Sequence, residues 1–181
     1  MPSKHSKVPL QNKAIFLDRD GIINEDTGYP HQISDIHFLP NLWATLHHLK
    51  KQHYKLIIVT NQSGIGRGIF SETNYQTLSN WLKQQFIMHH VPLTAIYHCP
   101  HVPKQNCNCR KPKPGMILNA AKQHHISLKH SWIIGDKESD IIAGINANIP
   151  QQIRLVSNPN VPSKASHLIS SLSEITQIIT Q

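Results

Sequence analysis

The chain carries three cysteines, and all of them lie in one polar segment, at Cys99, Cys107 and Cys109. His101 follows the first of them by two positions. Three thiolates and one imidazole complete the tetrahedral set of a structural Zn²⁺ site, with no position open for water. Free cysteines are often buried without a metal, so three packed thiols are the alternative. Because every cysteine clusters beside a histidine, we predict a structural zinc site.

Two cations, Arg110 and Lys111, directly follow the last cysteine. Adjacent guanidinium and ammonium groups suit a phosphate, because both donate charge-assisted hydrogen bonds to its oxygens. We therefore predict that a zinc-folded loop presents both side chains to a phosphorylated ligand.

Carboxylates form a second candidate site. Asp18 and Asp20 lie two positions apart, and Asp136 and Asp140 stand far along the chain. Such a group can bind a hard cation, and one carboxylate can attack phosphorus while another moves protons. For the first pair taken alone, an Asp-x-Asp turn closed by Gly21 is the alternative. We predict that Asp18, Asp136 and a main-chain carbonyl hold Mg²⁺.

Short apolar runs alternate with amphipathic segments, and this alternation predicts the elements that must position these groups. Strands are predicted at 14–17, 55–59, 94–98, 132–134 and 152–156. Helices are predicted at 39–53, 71–89, 114–125, 139–147 and 170–179. The order favours an α/β fold with a single Rossmann-like parallel sheet flanked by helices. The polar motifs follow strands directly, so they should meet at the carboxyl edge of the sheet.

The formal net charge is +8, with 14 histidines in addition. This charge and the Cys/His segment keep a zinc-stabilised nucleic-acid-binding module as an alternative function. The basic residues are scattered along the chain, however, and form no dense arm. The charge therefore fits an anionic small molecule as the partner at least as well as nucleic acid.

The length of 181 residues suits one domain, with residues 1–12 as a flexible tail and 13–181 as the folded domain. No cysteine remains for a disulfide framework, and the first dozen residues lack the apolar core of a signal peptide. No run approaches the roughly 18 apolar residues that span a bilayer. We expect a cytoplasmic protein with no membrane partner, acting as a monomer.

Four segments resemble, in order, the motifs of the haloacid dehalogenase superfamily of phosphatases. They are DRDGIIN from Asp18, TNQSGIGRG from Thr60, CRKPKPGM from Cys109 and GDKESD from Gly135. The resemblance spans residues 13–156 and implies a haloacid dehalogenase-like fold. The sequence between the motifs is too short for a large cap domain, so we expect none. Within the superfamily, the motifs resemble the heptose bisphosphate phosphatases. The short spacing from His101 to Cys107 resembles the histidinol-phosphate phosphatases, which remain the alternative.

The resemblance implies a Mg²⁺-dependent phosphatase that removes the C7 phosphate of a heptose 1,7-bisphosphate through an aspartyl-phosphate, in the synthesis of lipopolysaccharide core precursors. Its substrate would be a small sugar phosphate. Asp18 would be the nucleophile, and Asp20 would act as acid and then as base. Thr60 and Lys111 would stabilise the transferring phosphoryl group.

The resemblance also implies ligands for two metals and a set of substrate contacts. The Mg²⁺ ligands would be Asp18, Asp20, Asp136 and Lys137, and the Zn²⁺ ligands would be Cys99, His101, Cys107 and Cys109. The substrate contacts would be Asp26, Thr27, Gly28, Tyr29, Asn61, Gln62, Ser63, Arg110 and Lys137. Among these, Arg110 would recognise the second phosphate.

Overall fold

A computed structural model describes residues 12–180 of the chain. Six parallel strands form one sheet in the order β3-β2-β1-β4-β5-β6. The strands are β1 (Ala14–Leu17), β2 (Lys55–Asn61), β3 (Ala95–Cys99), β4 (Trp132–Gly135), β5 (Gln151–Leu155) and β6 (His167–Ile169). This is the order of a doubly wound sheet, and it confirms the predicted α/β class.

Helices cover both faces of the sheet, because the buried strands are apolar on both sides. The helices are α1 (Leu42–Lys51), α2 (Ser63–Gly66), α3 (Glu72–Met88), α4 (Gly115–His124), α5 (Glu138–Asn146) and α6 (Ile175–Ile178). In β1, Ile15 and Leu17 point to the core shared with α1, α3 and α6. Ala14 and Phe16 point to the opposite core, shared with α4 and α5. The fold is therefore a three-layer sandwich.

The strand order places one crevice at the centre of the sheet. The chain runs outward from β1 to β3 and then returns to β4 on the other side of β1. The loops that follow β1 and β4 consequently leave in opposite directions, which opens a crevice beyond the carboxyl ends of these strands. Each predicted polar motif begins at this edge or in the loop after β3.

The five predicted strands and the predicted helices are present, with their ends shifted by up to three residues outside the C-terminal region. There the prediction of one helix over 170–179 is wrong. A 3₁₀ turn at Leu172–Glu174 precedes the short α6. The Glu174 carboxylate accepts hydrogen bonds from the main-chain amides of Ser170 and Ser171, which closes a local turn at this point. Strand β6 and helix α2 were not predicted, since three or four residues carry no periodic pattern.

The segments that follow β1 and β3 are loops, and the described residues contain no large cap domain there. Residues 18–41 contain one 3₁₀ turn, Ile33–Asp35, and the loop after β3 contains another, Pro103–Gln105. Residues 1–11 of the predicted tail lie outside the described residues. Asn12 is bridged to Ile126, and its carbonyl accepts from the Ser127 amide at 2.7 Å. No helix within residues 12–180 is long and apolar enough to cross a membrane.

Candidate active site

Asp18 stands directly at the carboxyl end of the central strand β1. Its amide donates to the Ile134 carbonyl of β4 at 3.0 Å, which fixes its backbone between two strands. The carboxylate is buried, and its Oδ1 accepts from Lys111 Nζ and from the Arg19 amide, both at 2.8 Å. Because both bonds fall on Oδ1, the second oxygen of Asp18 is the one available to attack an electrophile.

Lys111 reaches this carboxylate from the loop after β3, and its side chain is 2% exposed. Its ammonium lies 2.8 Å from Asp18 Oδ1, 2.8 Å from Asp140 Oδ1 and 2.7 Å from the Val59 carbonyl. Burial alone would lower the pKa of Lys111, but the carboxylates of Asp140 and Asp18 outweigh burial and raise that pKa. The site therefore holds a permanent cation beside the candidate nucleophile.

Three carboxylates meet at the crevice between β1 and β4. Asp18, Asp136 and Asp140 each offer an oxygen within 4.8 Å of the others. Burial raises the pKa of Asp18 to about 7 against the opposing effect of Lys111, and burial raises that of Asp136 to about 6 against the effect of Lys137.

This carboxylate cluster fits the predicted magnesium site. Asp136 Oδ1 is buried without a hydrogen-bond partner among the described residues, which is costly unless a cation binds it. Hard carboxylate oxygens are the ligands that Mg²⁺ prefers. Asp140 belongs to this cluster although no role was predicted for it, and its spacing from Asp136 was the available signal.

Gly21 is the residue that lets this cluster form. Its φ is +92°, a conformation that disfavours residues with a Cβ, and an added Cβ would lie 2.4 Å from Asp136 Cγ. The loop after β1 therefore passes directly against the loop after β4. The glycine of the Asp-x-Asp-Gly motif thus serves both the turn and the approach of the two loops.

Asp20 is not one of the three clustered carboxylates, and four donated hydrogen bonds hold its side chain. Arg19 donates hydrogen bonds to the Asp20 carboxylate from Nε (2.7 Å) and Nη2 (2.9 Å). Asn24 Nδ2 and Gln62 Nε2 donate two more, of 3.0 and 3.1 Å. Arg19 is 1% exposed and also donates to the Pro30 carbonyl. This buried arginine was missed, because no rule of spacing predicts that a charged residue between two aspartates turns inward.

Thr60 and Gln62 connect the end of β2 with this network. Thr60 is almost completely buried at the carboxyl end of the strand. Gln62 Nε2 donates to Thr60 Oγ1 at 2.8 Å as well as to Asp20, so one amide joins two predicted catalytic residues. The main-chain amide of Gln62 donates a hydrogen bond to the Cys99 carbonyl of β3, which fixes this turn to the sheet.

A cavity of about 550 Å³ opens above these groups. Eight of the nine predicted substrate residues line it, and Thr27 does not. They are joined there by Asp20 and Lys111 and by three residues that were not predicted, Pro103, Pro112 and Ser139. The structure therefore brings the candidate acid and eight candidate substrate residues to one cavity, together with Lys111, whose ammonium contacts the candidate nucleophile Asp18.

Lys137 and Asp26 form an ion pair of 2.7 Å between the loops after β4 and β1. Burial alone would raise the pKa of Asp26, but the hydrogen bonds from Lys137 and from the Gly28 amide lower it. The Lys137 side chain is 55% exposed, whereas its amide donates inward to Asp140 Oδ2 at 3.0 Å. Its side chain and its main chain therefore face different parts of the site.

The predicted zinc ligands converge in the loop after β3. Cys109 Sγ lies 3.0 Å from Cys99 Sγ, 3.4 Å from Cys107 Sγ and 3.2 Å from His101 Nδ1. Cys99 Sγ lies 3.5 Å from both Cys107 Sγ and His101 Nδ1. A tetrahedral Zn²⁺ with bonds of about 2.0–2.3 Å separates its ligands by about 3.5–3.8 Å, close to these distances. The four residues therefore fit Zn²⁺.

The zinc loop is tied to the cavity through Arg110. Its Nη1 donates to the His101 carbonyl at 3.2 Å, so the guanidinium is oriented by a segment that the metal would fix. Gly66 of α2 donates its amide to the Pro100 carbonyl at 3.0 Å on the other side of the loop. Arg110 lines the cavity as predicted.

The sequence is similar to characterised protein families over most of its length. The profile of the haloacid dehalogenase-like hydrolases matches residues 22–152. The D-glycero-beta-D-manno-heptose-1,7-bisphosphate 7-phosphatase of Helicobacter pylori (strain 26695) is 48% identical over 149 residues, covering 82% of this chain and 86% of that protein. The enzyme of the same name from Escherichia coli K12 is 39% identical over 177 residues, covering 92% and 93%.

Solved structures agree with this assignment at the level of the fold. The D,D-heptose 1,7-bisphosphate phosphatase from B. bronchiseptica, a crystal structure with magnesium and phosphate, has a TM-score of 0.81 at 24% identity, covering 92% of this chain and 97% of that one. The corresponding enzyme from Burkholderia thailandensis has a TM-score of 0.66 at 20% identity, with coverage of 92% and 97%. Because the family profile covers residues 22–152 and the two relatives are 48% and 39% identical over most of the chain, the chain belongs to the haloacid dehalogenase-like hydrolases, in the family of the D-glycero-β-D-manno-heptose-1,7-bisphosphate 7-phosphatases.

Proposed function

We propose that this protein is a phosphatase that removes the C7 phosphate of D-glycero-β-D-manno-heptose 1,7-bisphosphate, in the synthesis of lipopolysaccharide core precursors. The observation that carries the proposal is the arrangement around Asp18. A buried carboxylate, a permanent ammonium and a Mg²⁺-type carboxylate cluster lie beside a cavity lined by two further cations, Arg110 and Lys137. One phosphate can react at Asp18 while a second one is recognised by these cations. The family membership favours this enzyme over a nucleic-acid-binding module.

In the first step, the free carboxylate oxygen of Asp18 attacks the C7 phosphorus in line with the sugar oxygen. The bond from phosphorus to that oxygen breaks, and Asp20 supplies the proton that the departing oxygen needs. Asp18 then carries the phosphoryl group as an aspartyl-phosphate. Asp20 lines the cavity and is oriented by Arg19 and Gln62, as this role requires.

In the second step, water attacks the phosphorus of the aspartyl-phosphate. Asp20, now ionised, takes a proton from that water, and inorganic phosphate leaves with regeneration of the Asp18 carboxylate. The same residue thus gives a proton in the first step and takes one in the second.

Charge on the transferring phosphoryl group is stabilised by fixed groups of this chain. Lys111 places its ammonium at Asp18, and the Thr60 hydroxyl lies at the adjacent end of β2. Mg²⁺, held by Asp18, Asp20 and Asp136 with the main chain at Lys137, would supply further positive charge when bound. Because these groups are preorganised in a buried site, they favour the transition state strongly.

Specificity would come from the loops around the cavity, since no cap domain covers it within residues 12–180. Arg110 would hold the C1 phosphate, because the zinc loop fixes its guanidinium. The loop residues Asp26, Gly28 and Tyr29 and the start of α2 at Ser63 would contact the sugar hydroxyls. Histidinol phosphate is the second candidate substrate, because the zinc loop is short between His101 and Cys107. We also propose a cytoplasmic location and a monomeric state.

The test of the proposed function replaces the nucleophile. Asp18→Asn is expected to abolish phosphate release from heptose 1,7-bisphosphate while the circular dichroism spectrum and the zinc content stay unchanged. Asp35→Asn is the matched control, because the Asp35 carboxylate contacts local groups, the amides of His31 and Gln32 and the His31 imidazole, and does not line the cavity. This variant should retain phosphate release. Turnover by the Asp18 variant would refute the role of Asp18.

A further inference from the structure

The side chain of Asn61 spans the main chain of Lys111 with two hydrogen bonds. Asn61 Nδ2 donates to the Lys111 carbonyl at 3.1 Å, and the Lys111 amide donates to Asn61 Oδ1 at 3.0 Å. The side-chain amide of Asn61 therefore pairs with both the carbonyl and the main-chain N–H of Lys111, which lies 50 positions away. We call this pair of hydrogen bonds the Asn61 clamp.

Strand β2 holds Lys111 at both ends. The Asn61 clamp fixes its main chain, and the Val59 carbonyl accepts from its ammonium at 2.7 Å. Val59 and Asn61 both belong to the buried strand β2, and Asn61 is paired with Cys99 of β3. The rigid sheet thus defines where the side chain of Lys111 begins and where it ends.

Lys111 needs this support because it does not belong to a strand or helix. It lies in the loop between β3 and α4, two residues after the zinc ligand Cys109. The position of its ammonium relative to Asp18 therefore depends on contacts that other elements make with the loop. The clamp is a direct contact of this kind from the sheet to its main chain.

We propose that Asn61 is a positioning residue for phosphoryl transfer, which acts by fixing Lys111 rather than by binding the sugar. The resemblance places Asn61 among the substrate contacts, and it does line the cavity. However, one N–H and one lone pair of its amide are already committed to Lys111. The inference rests on the proposed phosphatase chemistry at Asp18, but it does not depend on which sugar is the substrate.

The two roles predict different effects of Asn61→Ala. If Asn61 positions Lys111, the variant loses about 10- to 100-fold in kcat/KM with every phosphate ester, because small misplacements of a catalytic group have effects of this size. p-Nitrophenyl phosphate has no sugar, so its hydrolysis should fall by the same factor as that of heptose 1,7-bisphosphate. If Asn61 binds the sugar, only the heptose substrate is affected, and this result would overturn the proposal.

Binding of inorganic phosphate gives a readout that needs no turnover. With Mg²⁺ present, calorimetry of the full-length, zinc-loaded protein should show a dissociation constant for phosphate that is about tenfold higher in Asn61→Ala than in wild type. Ser63→Ala is the comparison variant, because Ser63 lines the same cavity without contacting Lys111. It should raise the KM for the heptose substrate and leave the affinity for inorganic phosphate unchanged. Unchanged phosphate affinity in Asn61→Ala would contradict the clamp.

A double-mutant cycle separates positioning from a general loss of structure. If Asn61 acts through Lys111, then adding Asn61→Ala to Lys111→Ala should change phosphate affinity less than twofold, because the group that it positions is gone. Full additivity would overturn the proposal. The uncharged Asn61→Leu, which is close to isosteric, serves if the alanine variant does not fold, since it removes both hydrogen bonds to Lys111 without adding a charge. It should weaken phosphate binding in the wild-type background and have no further effect in Lys111→Ala.

The cycle also separates this inference from the proposed function. A wild-type protein that binds phosphate but does not hydrolyse heptose 1,7-bisphosphate would refute the substrate assignment and leave the clamp to be decided by the phosphate measurements. Hydrolysis of heptose 1,7-bisphosphate with additive effects in the cycle would support the substrate and refute the clamp.

Discussion

Lys111→Met should destabilise the metal-free protein more than any change of a surface charge. Lys111 is almost completely buried, and its ammonium is shared between Asp18 and Asp140 at 2.8 Å each. Methionine keeps most of the length of the side chain and removes the charge. The two carboxylates would then face each other in a buried site without a cation.

The magnitude follows from the loss of one partner of a buried ion pair. Removing one member leaves an uncompensated buried charge and costs about 3–5 kcal/mol of the free energy of unfolding. Mg²⁺ binds the same carboxylates, so it should restore more stability to the variant than it adds to the wild type. The variant should also lose phosphate release, because the charge beside the phosphoryl group is gone.

The destabilisation should grow with pH. Burial raises the pKa of Asp18 to about 7 even beside Lys111, and removal of Lys111 raises it further, because that lysine lowers it. The folded variant therefore holds a proton that the unfolded chain releases near the ordinary value of 3.8. Stability of such a state declines as pH rises from about 4 to the folded pKa. The difference between variant and wild type is thus larger at pH 8 than at pH 5.

Urea denaturation at pH 5 and pH 8, with and without Mg²⁺, measures this prediction. The Mg²⁺-free buffer contains no chelator, because a chelator would also remove zinc from the protein. Lys122→Met is the matched control, because Lys122 is exposed on α4, and a surface change of this kind stays within about 0.5 kcal/mol. A loss below about 1 kcal/mol at pH 8, or a loss independent of Mg²⁺, would refute the electrostatic role assigned to Lys111.

Three further predictions concern the metals and the crevice. Cys107→Ser should abolish the roughly one Zn²⁺ per chain expected in metal analysis and lower the melting temperature; an equal zinc content would argue against the four-ligand site. The Mg²⁺ concentration for half-maximal activity should rise several-fold from pH 8 to pH 6, because Asp18 and Asp136 take up protons as pH falls through about 7 and 6. A constant concentration would contradict the role of these two residues as Mg²⁺ ligands. Gly21→Ala should weaken Mg²⁺ binding in calorimetry, because the added Cβ would lie 2.4 Å from Asp136 Cγ. Gly68→Ala is the control, since Gly68 also has a positive φ but an added Cβ there meets no atom within 4 Å, and Mg²⁺ binding should be unchanged. Equal effects of the two variants would exclude the steric cause.

The sequence predicted the strand-end motifs well, because each one combines a short buried strand with reactive residue types. Asp18 and Thr60 each stand at the carboxyl end of their strand, where parallel topology brings side chains together. The zinc ligands were predictable for a different reason, since they are few in number and close in sequence. In these cases the local pattern alone contains the information.

The hydrogen-bond network around these motifs could not be predicted in the same way. Asn61 and Gln62 follow Thr60 directly, yet one turns to the main chain of Lys111 and the other to Thr60 and Asp20. The direction of each amide is decided by the packing of β2 against the zinc loop and the loop after β1. Arg19 turns inward for a similar reason, because Asp20 and the Pro30 carbonyl are brought to it by the fold.

The proposed function requires that the protein release the C7 phosphate of a heptose 1,7-bisphosphate and leave the C1 phosphate in place. Phosphorus NMR of the purified protein with Mg²⁺ and D-glycero-β-D-manno-heptose 1,7-bisphosphate tests it most directly, with histidinol phosphate as the competing substrate. We expect that the C7 resonance disappears, that inorganic phosphate grows in equal amount, and that the C1 phosphate remains. Loss of the C1 phosphate, or faster hydrolysis of histidinol phosphate, would contradict the proposed function.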